Sequence, residues 1–512
     1  MNNVARQNNH KPLSLWTVYG ICLLISTAFF LAMGFNSPIF QFNADCDFNW
    51  FMSVGNAMVA GKIPYRDLFE QKGPITYFVF AFCCLFKNPR IAILILEIIS
   101  MSLFFFFAYR ICRKRLNTFY SIIAIPLLAF AVFTSWTRVR SAASVEEFTL
   151  PIHTYFFLCW LEFLLEKKHW TWGRSLCLGL CFGIILWVKF TLFYFMLVPM
   201  IIWLAISIRR RQYKTLLINI GCIVSGVIAI TIPVFIYYII HNALNDLFYV
   251  YFYVNLTAYG TNSILDILFS FGTFFCIGPV ILVLILWGVI AFSKRHWSER
   301  TGWLLLIAFL VNVALLIYSC KKFAYYYTEL FPYGILGLTE ILYWFNHKFS
   351  LNKYCKLLPV GIAVLCFVLA IPCSIYTYEW GRDRKEYAPL AIADTIHNYE
   401  INNNQTTTLW CYKFSDFGFY NATNKIPNNY FFAQNVFTEE RFPRIYKEFN
   451  EYITNQTSDF VITELATWET EKDFLSQYYK PFTDEISDCT YHYRHAHYFY
   501  YRHFDFVLLI KK

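Results

Sequence analysis

The chain has 512 residues, of which 58% are hydrophobic, 21% are aromatic and only 15% are charged. Because a soluble protein usually carries about 25% charged residues, this composition excludes an ordinary soluble enzyme and indicates a membrane protein. The formal net charge of +10 does not indicate a nucleic-acid-binding protein. Most Lys and Arg residues stand in short clusters between apolar runs, where basic residues set membrane orientation.

The apolar runs predict a polytopic α-helical membrane protein. A transmembrane helix needs about 20 mainly apolar residues, and about eleven runs approach this length. We predict one spanning helix for each run, so that residues 1–378 form the transmembrane module. The runs are 16–33, 91–111, 119–133, 148–165, 176–188, 192–208, 216–240, 264–292, 304–318, 330–344 and 357–376.

The basic clusters predict the orientation of these helices. Lys and Arg are enriched in cytoplasmic loops, and the clusters stand in alternate loops, so all of them are cytoplasmic together with the N-terminus. An odd number of spans then places the C-terminal segment outside. The stretch 75–86 is only about twelve residues long, too short to span, so we predict a helix that lies on the outer membrane surface. The clusters are Arg113-Lys114-Arg115, Lys167-Lys168, Arg209-Arg210-Arg211, Lys294-Arg295, and Lys348 with Lys353.

Residues 379–512 differ in character from the rest of the chain. They are rich in Asn, Asp, Glu, Lys and Tyr and contain no long apolar run. The short apolar pieces 460–462 and 504–510 are typical of strands, and the pattern over 443–452 is typical of a helix. We therefore predict a small extracytoplasmic C-terminal α/β domain.

The sequence contains 16 cysteines, most of them inside apolar runs. Cysteine behaves there as a small buried hydrophobe, and no pair has the spacing of a zinc site. Cys411 and Cys489 both lie in the C-terminal segment and are able to form a disulfide if that segment faces an oxidising compartment. The sequence leaves the paired and the unpaired states equally open.

Within the first outer loop, residues 35–90, the part from 36 to 74 concentrates polar residues that are hard to explain by a structural role. A carboxylate beside the membrane can take a proton from a sugar hydroxyl, and nearby Lys and Arg can hold a phosphate. A solvated loop with surface ion pairs is the alternative. The Asp45-Cys-Asp47 spacing also resembles the paired aspartates that bind a metal-nucleotide, but two such residues are a weak signal. The charged residues between 36 and 74 are Asp45, Asp47, Lys62, Arg66, Asp67, Glu70 and Lys72.

Further charged residues fall on the predicted outer face where the positive-inside pattern does not place them. A cationic pocket for a lipid phosphate explains them together, although a lysine near a helix end can also snorkel to the membrane surface. Glu146 and Glu147 precede an apolar helix, where carboxylates also serve as N-terminal helix charges. Glu97 stands within an apolar run as either a functional or a packing residue. The cations are Arg138, Arg140, Lys189, Lys321 and Lys322.

At this point the residues resemble a known family. The first outer loop is similar to that of bacterial GT-C glycosyltransferases, the group of protein O-mannosyltransferases, the aminoarabinose transferase of lipid A and the lipopolysaccharide-core glycosyltransferases. The resemblance covers about residues 10–376 and includes Glu146-Glu147, Lys189 and the Tyr-rich segment from Tyr325 to Pro332. The loop pattern is Asp47-x7-Gly55-x2-Met58-x2-Gly61-x2-Pro64-Tyr65-Arg66-Asp67-x-Phe69-Glu70-x-Lys72-Gly73-Pro74.

The resemblance implies a GT-C fold and an inverting transfer of a sugar from a polyprenyl-phosphate donor to an extracytoplasmic glycan, lipid or protein acceptor. It implies that Asp47 is the general base and that neither nucleotide nor nucleic acid takes part. Gln71 stands where several relatives have an acidic residue, so a divalent metal remains open and no other cofactor is expected. The implied donor-phosphate ligands are Arg66, Lys72, Lys189 and Arg138, and the implied supporting or acceptor residues are Asp45, Glu70, Glu146, Glu147 and Tyr326.

Three other functions remain open from the sequence. A lipid-linked oligosaccharide polymerase or ligase uses the same donor but usually concentrates its function in a later large outer loop. A transporter predicts inverted repeats and helices broken near the midplane, and the sequence contains no visible repeat. A non-catalytic envelope scaffold would not need Asp47. We expect a glycosyltransferase of the bacterial cytoplasmic membrane, in contact with membrane lipid.

Overall fold

A computed structural model of the chain describes ten stretches of the sequence. It divides into two compact units. The first, here called the helical unit, consists of Met1–Ser37, Leu94–Ile230 and Asn262–Thr377; the second, here called the mixed unit, consists of Pro38–Ile93, Thr231–Thr261 and Tyr378–Lys512. The described residues are 13–137, 143–167, 169–257, 263–319, 323–348, 357–373, 381–433, 437–483, 486–497 and 500–512.

The described chain is mostly helical and ends in a small sheet. The helices are α1 (Leu15–Met33), α2 (Cys46–Val59), α3 (Pro74–Cys84), α4 (Pro89–Cys112), α5 (Thr118–Phe133), α6 (Val145–Leu165), α7 (Trp172–Lys189), α8 (Tyr194–Arg209), α9 (Tyr213–Ile240), α10 (Ile264–Phe274), α11 (Pro279–Arg295), α12 (Thr301–Tyr318), α13 (Phe331–Lys348), α14 (Leu358–Cys373), α15 (Ala388–Asn403), α16 (Pro443–Thr454) and α17 (Leu465–Leu475). The strands are β1 (Leu409–Cys411), β2 (Phe460–Glu464), β3 (Tyr479–Pro481), β4 (Thr490–His497) and β5 (Tyr500–Lys511). Short helical turns are Phe190–Phe193, Leu244–Leu247, Phe248–Val254, Asn255–Thr257, Phe275–Ile277, Ala324–Leu330, Arg384–Glu386, Phe419–Thr423 and Ile486–Cys489.

The predicted polytopic helical fold is confirmed, because each predicted apolar run coincides with helix in the described residues. Within those residues, six helical segments are long and apolar enough to cross a membrane. Helices α9 and α14 expose rows of Leu, Ile and Val side chains, as expected of helices that face lipid. The short predicted stretch 75–86 forms α3.

The run 264–292 differs from the prediction, since it is not one straight helix. It consists of α10 with its following turn and α11, bent by 99° relative to each other. The break falls at Gly278, whose φ of 110° is accessible mainly to glycine. The next residue, Pro279, has no N–H and disfavours helical conformation in the residue before it. Hydropathy does not register this break because both sides of it are apolar.

Aromatic packing joins the helices of the helical unit. Phe157 of α6, Phe195 of α8 and Tyr333 of α13 form a buried cluster, with ring centroids 5.0–6.0 Å apart. Trp170, which precedes α7, stacks on Trp203 of α8 with a centroid distance of 4.7 Å. Rings of this size supply large buried apolar areas. This packing holds α6, α8 and α13 together.

In the mixed unit the sheet has the order β1-β2-β5-β3, with β4 also paired to β5. Strands β1 and β2 are parallel, whereas β5 runs antiparallel to each of its three partners. The predicted strands 460–462 and 504–510 lie within β2 and β5, and the predicted helix 443–452 lies within α16. Cys411 and Cys489 are both buried free cysteines, so the unpaired alternative is the one observed.

Part of the core of the mixed unit forms around Phe69, which belongs to the first outer loop. Its side chain is fully buried and contacts four rings of the C-terminal segment at centroid distances of 4.9–6.3 Å. The Phe69 backbone N–H also donates to the Tyr430 carbonyl at 2.8 Å. The first outer loop and the C-terminal segment therefore share a core. The four rings are Tyr430, Phe431, Phe437 and Phe442.

We expect Phe69→Ala to destabilise the mixed unit by about 3–5 kcal/mol, the usual loss when a buried phenylalanine is truncated. Thermal unfolding of the detergent-purified protein measures the effect. Phe82→Ala is the matched control, because Phe82 lies on α3 with 56% of its surface exposed. Equal melting temperatures for the two variants would contradict the shared core.

Candidate active site

The two aspartates at the start of α2 have different structural roles. Asp45 is the N-cap: its Oδ1 accepts the backbone N–H of Asp47 at 3.0 Å and that of Phe48 at 3.4 Å. These N–H groups otherwise have no partner in a helix, so Asp45 stabilises the first turn. Asp47 lies inside that turn and is half-buried. Capping accounts for Asp45, which leaves Asp47 as the candidate base of the pair.

Glu70 and Lys72 lie near Asp47 in the mixed unit. The buried Glu70 carboxylate accepts the Lys72 backbone N–H at 3.1 Å and the Tyr77 hydroxyl. Burial raises the pKa of Glu70, while the positive charge of Lys72 opposes this and the negative charge of Asp47 reinforces it. Two predicted site residues, Lys72 and Asp47, thus each act electrostatically on a third, Glu70. The Tyr65 hydroxyl donates to the Lys72 carbonyl at 2.5 Å, which fixes the loop that carries Lys72.

Arg66 is held by Asp67 of its own loop and by the backbone of His241. Its Nε and Nη2 donate to the Asp67 carboxylate at 2.8 and 2.9 Å, and its Nη1 donates to the His241 carbonyl at 2.9 Å. Asp67 also accepts the Ile63 N–H at 2.7 Å. The Arg66 hydrogen bond lowers the pKa of Asp67, so this pair stays ionised. A phosphate would have to share this guanidinium with Asp67.

A second group of predicted site residues meets in the helical unit. The Lys189 ammonium, at the end of α7, forms a buried ion pair with Glu146 in the first turn of α6. The same ammonium lies 3.8 Å from the centroid of the Tyr326 ring, where the ring face attracts a cation. The α6 N-cap is Ser144, which accepts the Glu147 N–H at 3.2 Å. Glu146 and Glu147 therefore also act as N-terminal helix charges.

Glu329 belongs to the same group, although sequence reasoning did not select it as a site residue. It is buried, and neither carboxylate oxygen has a hydrogen-bond partner among the described residues. Burial raises the pKa of Glu329 well above its ordinary value, and Lys189 opposes this shift. The available signal was a lone glutamate between the tyrosines at 325–327 and Pro332.

The remaining predicted residues have simpler outcomes. Glu97 is buried in the helical unit and accepts the Asn36 carboxamide at 3.0 Å. Arg138, Arg140, Lys321 and Lys322 lie outside the described residues. Among the residues that are described, no three His, Cys, Asp or Glu side chains form a group that could hold a metal ion.

Comparison with known proteins supports the resemblance. Residues 72–238 match the model of the family described as dolichyl-phosphate-mannose-protein mannosyltransferase. A search of curated proteins gives no match. The apo crystal structure of ArnT from Cupriavidus metallidurans is similar with a TM-score of 0.57 and 11% identity, over 96% of this chain and 97% of that chain.

A second solved structure is less similar. The archaeal oligosaccharyltransferase AglB from Archaeoglobus fulgidus, in complex with an inhibitory peptide and a dolichol-phosphate, gives a TM-score of 0.48 at 12% identity, over 90% of this chain and 70% of that chain. The ArnT comparison shows the fold, and the family match covers the segment that carries Lys72, Glu146 and Lys189. The predicted resemblance to GT-C glycosyltransferases is confirmed.

We expect Lys189→Met to destabilise the protein by about 3–5 kcal/mol, because it leaves the Glu146 carboxylate buried without its cation. The double variant Lys189→Met/Glu146→Leu should recover most of that loss, as measured by thermal unfolding in detergent. Arg384→Ala is the control: its pair with Asp394 has exposed side chains at 51% and 57%, and such pairs contribute about 1 kcal/mol or less. A double variant as unstable as Lys189→Met would contradict this account.

Glu70 should make stability depend on pH. Because burial raises its pKa above the ordinary 4.5, the folded state favours the neutral form. The contribution of Glu70 is then complete below pH 4.5 and is lost as the pH rises through the raised pKa. We expect the melting temperature of the wild type to fall across this range relative to Glu70→Gln, which does not titrate. Parallel melting curves at every pH would contradict the expectation.

Proposed function

We propose that this chain, which has the fold of the GT-C membrane glycosyltransferases, transfers a sugar from a polyprenyl-phosphate donor to an acceptor on the extracytoplasmic side. The observation that carries the proposal is the buried Glu70 carboxylate, which accepts the Lys72 backbone N–H at 3.1 Å and is subject to the charges of both Lys72 and Asp47. A carboxylate base and a cation in one loop region are what a phosphate-activated glycosyl transfer requires. The acceptor is a glycan, lipid or protein hydroxyl.

A lipid-linked donor suits the composition of the chain. The matched family is described by a lipid-phosphate sugar, dolichyl-phosphate-mannose, and the sequence contains no Gly-rich phosphate loop for a nucleotide. An isoprenoid tail partitions into the membrane among the apolar helices, which brings the phosphate to the membrane surface. Lys72 of the mixed unit is the described cation that we assign to that phosphate.

The proposed reaction is a single displacement. Asp47 takes the proton of the acceptor hydroxyl, and the acceptor oxygen attacks the anomeric carbon of the donor sugar. The bond between that carbon and the phosphate oxygen breaks, and its electron pair leaves with the phosphate. Lys72 stabilises the charge that develops on the leaving group. The products are a glycosylated acceptor with inverted anomeric configuration and a polyprenyl phosphate.

We further propose that the protein lies in a bacterial cytoplasmic membrane with its N-terminus inside and residues 379–512 outside. The support is the alternation of basic loops, which makes all five basic clusters cytoplasmic at once. In this orientation the first outer loop and the C-terminal segment face the same compartment. That agrees with their shared core around Phe69.

Asp47→Asn should abolish transfer, because an amide cannot accept the acceptor proton at neutral pH. In cells with matched membrane expression, we expect one polyprenyl-phosphate sugar to accumulate and one envelope glycan to lose that sugar, as measured by mass spectrometry. Asp45→Asn is the matched control, because asparagine caps a helix as well as aspartate does. That variant should retain activity close to the wild type.

Other outcomes would favour the alternatives. Unchanged lipid and glycan profiles in Asp47→Asn would contradict the catalytic role and favour a scaffold. Loss of a whole oligosaccharide from the glycan, with accumulation of the lipid-linked oligosaccharide, would favour a polymerase or ligase. Accumulation of the donor sugar in the inner leaflet alone would favour a transporter.

A further inference from the structure

One face of α2 carries three polar side chains in an otherwise apolar environment. Asn49, Ser53 and Asn56 follow one another at intervals of four and three residues, which places them on the same side of the helix. Asn49 and Ser53 each have only 1% of their surface exposed. Buried polar groups cost free energy unless they find hydrogen-bond partners, so this face must be matched by another polar element of the mixed unit.

The matching element is the segment 416–421 of the C-terminal part of the chain, here called the clamp segment. The Asn421 Nδ2 donates to the Asn49 Oδ1 at 2.7 Å, and its Oδ1 accepts the Asn56 Nδ2 at 3.3 Å. The Ser53 hydroxyl donates to the Asp416 Oδ2 at 3.3 Å. All three polar side chains of α2 are thus met by two residues of the clamp segment.

The clamp segment is itself rigidly built. Asp416 is fully buried, and its Oδ1 accepts the backbone N–H groups of Gly418 at 2.8 Å and Phe419 at 2.6 Å. Gly418 has a φ of 107°, and a Cβ there would lie 2.4 Å from the Phe42 Cζ and 2.8 Å from the Asn49 Oδ1. A residue other than glycine would therefore be strained in its backbone and would displace the Phe42 ring and the Asn49 carboxamide.

Asn49 also connects the clamp segment to the start of α2. Its Nδ2 donates to the Asn43 and Asp45 carbonyls, both at 2.8 Å. The carboxamide that Asn421 holds therefore also fixes the chain entering the helix. Asp47 lies in that first turn, two residues before Asn49.

We propose that Asn421 and Asp416 are positioning residues that set the place of the Asp47 carboxylate through α2. The inference rests on the proposed function of Asp47. Both residues act in this proposal through α2 and not by binding the substrate. A misplacement of about 1 Å in a catalytic group can reduce the rate about 100-fold, so loss of the clamp should lower kcat by roughly 10- to 100-fold while leaving KM for the donor nearly unchanged.

The test compares Asn421→Ala and Asp416→Ala in the full-length, detergent-purified protein. Asp416→Asn is the conservative variant, because its Oδ1 still accepts both N–H groups and its Nδ2 can donate to Ser53. Asn403→Ala is the control for truncating an exposed asparagine, which in α15 bonds only to the Tyr399 carbonyl in the described structure. The readouts are kcat, donor KM, melting temperature, and hydrogen–deuterium exchange of peptides covering 43–56.

We expect faster exchange over 43–56 and reduced kcat in both alanine variants, with normal values in Asp416→Asn and Asn403→Ala. Faster exchange with unchanged kcat would overturn the positioning role, and so would unchanged exchange. Equal loss in Asp416→Asn would also overturn it. If the wild type transfers no sugar from any polyprenyl-phosphate donor, the proposed function fails instead, and the exchange data alone then decide whether the clamp holds α2.

Discussion

The arrangement of the mixed unit depends on the hydrogen bonds of the Asn49 carboxamide. It is buried, so both its donor and its acceptor need partners in the folded state. The carbonyls of Asn43 and Asp45 take its N–H groups, and Asn421, 372 residues away in sequence, supplies the donor for its oxygen. The hydrogen bonds of Asn49 therefore form only when the first outer loop and the C-terminal segment fold together. The buried side chain of Phe69 adds apolar contacts between the same two segments.

The candidate site residues form two groups, one in each unit, and in each group a lysine offsets the cost of buried carboxylates. In the mixed unit, burial and the negative charge of Asp47 raise the pKa of Glu70, and the positive charge of Lys72 opposes this rise. In the helical unit, Lys189 pairs with Glu146 and lowers the cost of the buried Glu329. Each group contains more carboxylates than described cations. A phosphate that binds near either lysine would therefore compete with a carboxylate already present. A ligand would overcome this competition more easily if an apolar tail also contributed to its affinity.

Much of the fold was accessible from the sequence, because hydropathy and periodicity report burial directly. The apolar runs, the α16 pattern and the β2 and β5 segments all follow from that signal. The bend at Gly278 was not accessible, since it depends on backbone dihedrals inside a continuous apolar run. Glu329 was not singled out because what marks it is a buried carboxylate without a hydrogen-bond partner among the described residues, which only the folded structure reveals. The contact between Asn49 and Asn421 leaves no local pattern at all.

The chemistry of the clamp suits a helix that carries the proposed general base. The amides of Asn49 and Asn421 are neutral, so they fix the first turn of α2 without adding a charge that would move the pKa of the Asp47 carboxylate. An ion pair in place of Asn49 and Asn421 would hold α2 as firmly but would change the field at the base. The charged clamp residue, Asp416, meets α2 at Ser53, six residues and about 9 Å of helix rise beyond Asp47. At that separation its effect on the base is weakened further by the two hydrogen bonds that Gly418 and Phe419 donate to it.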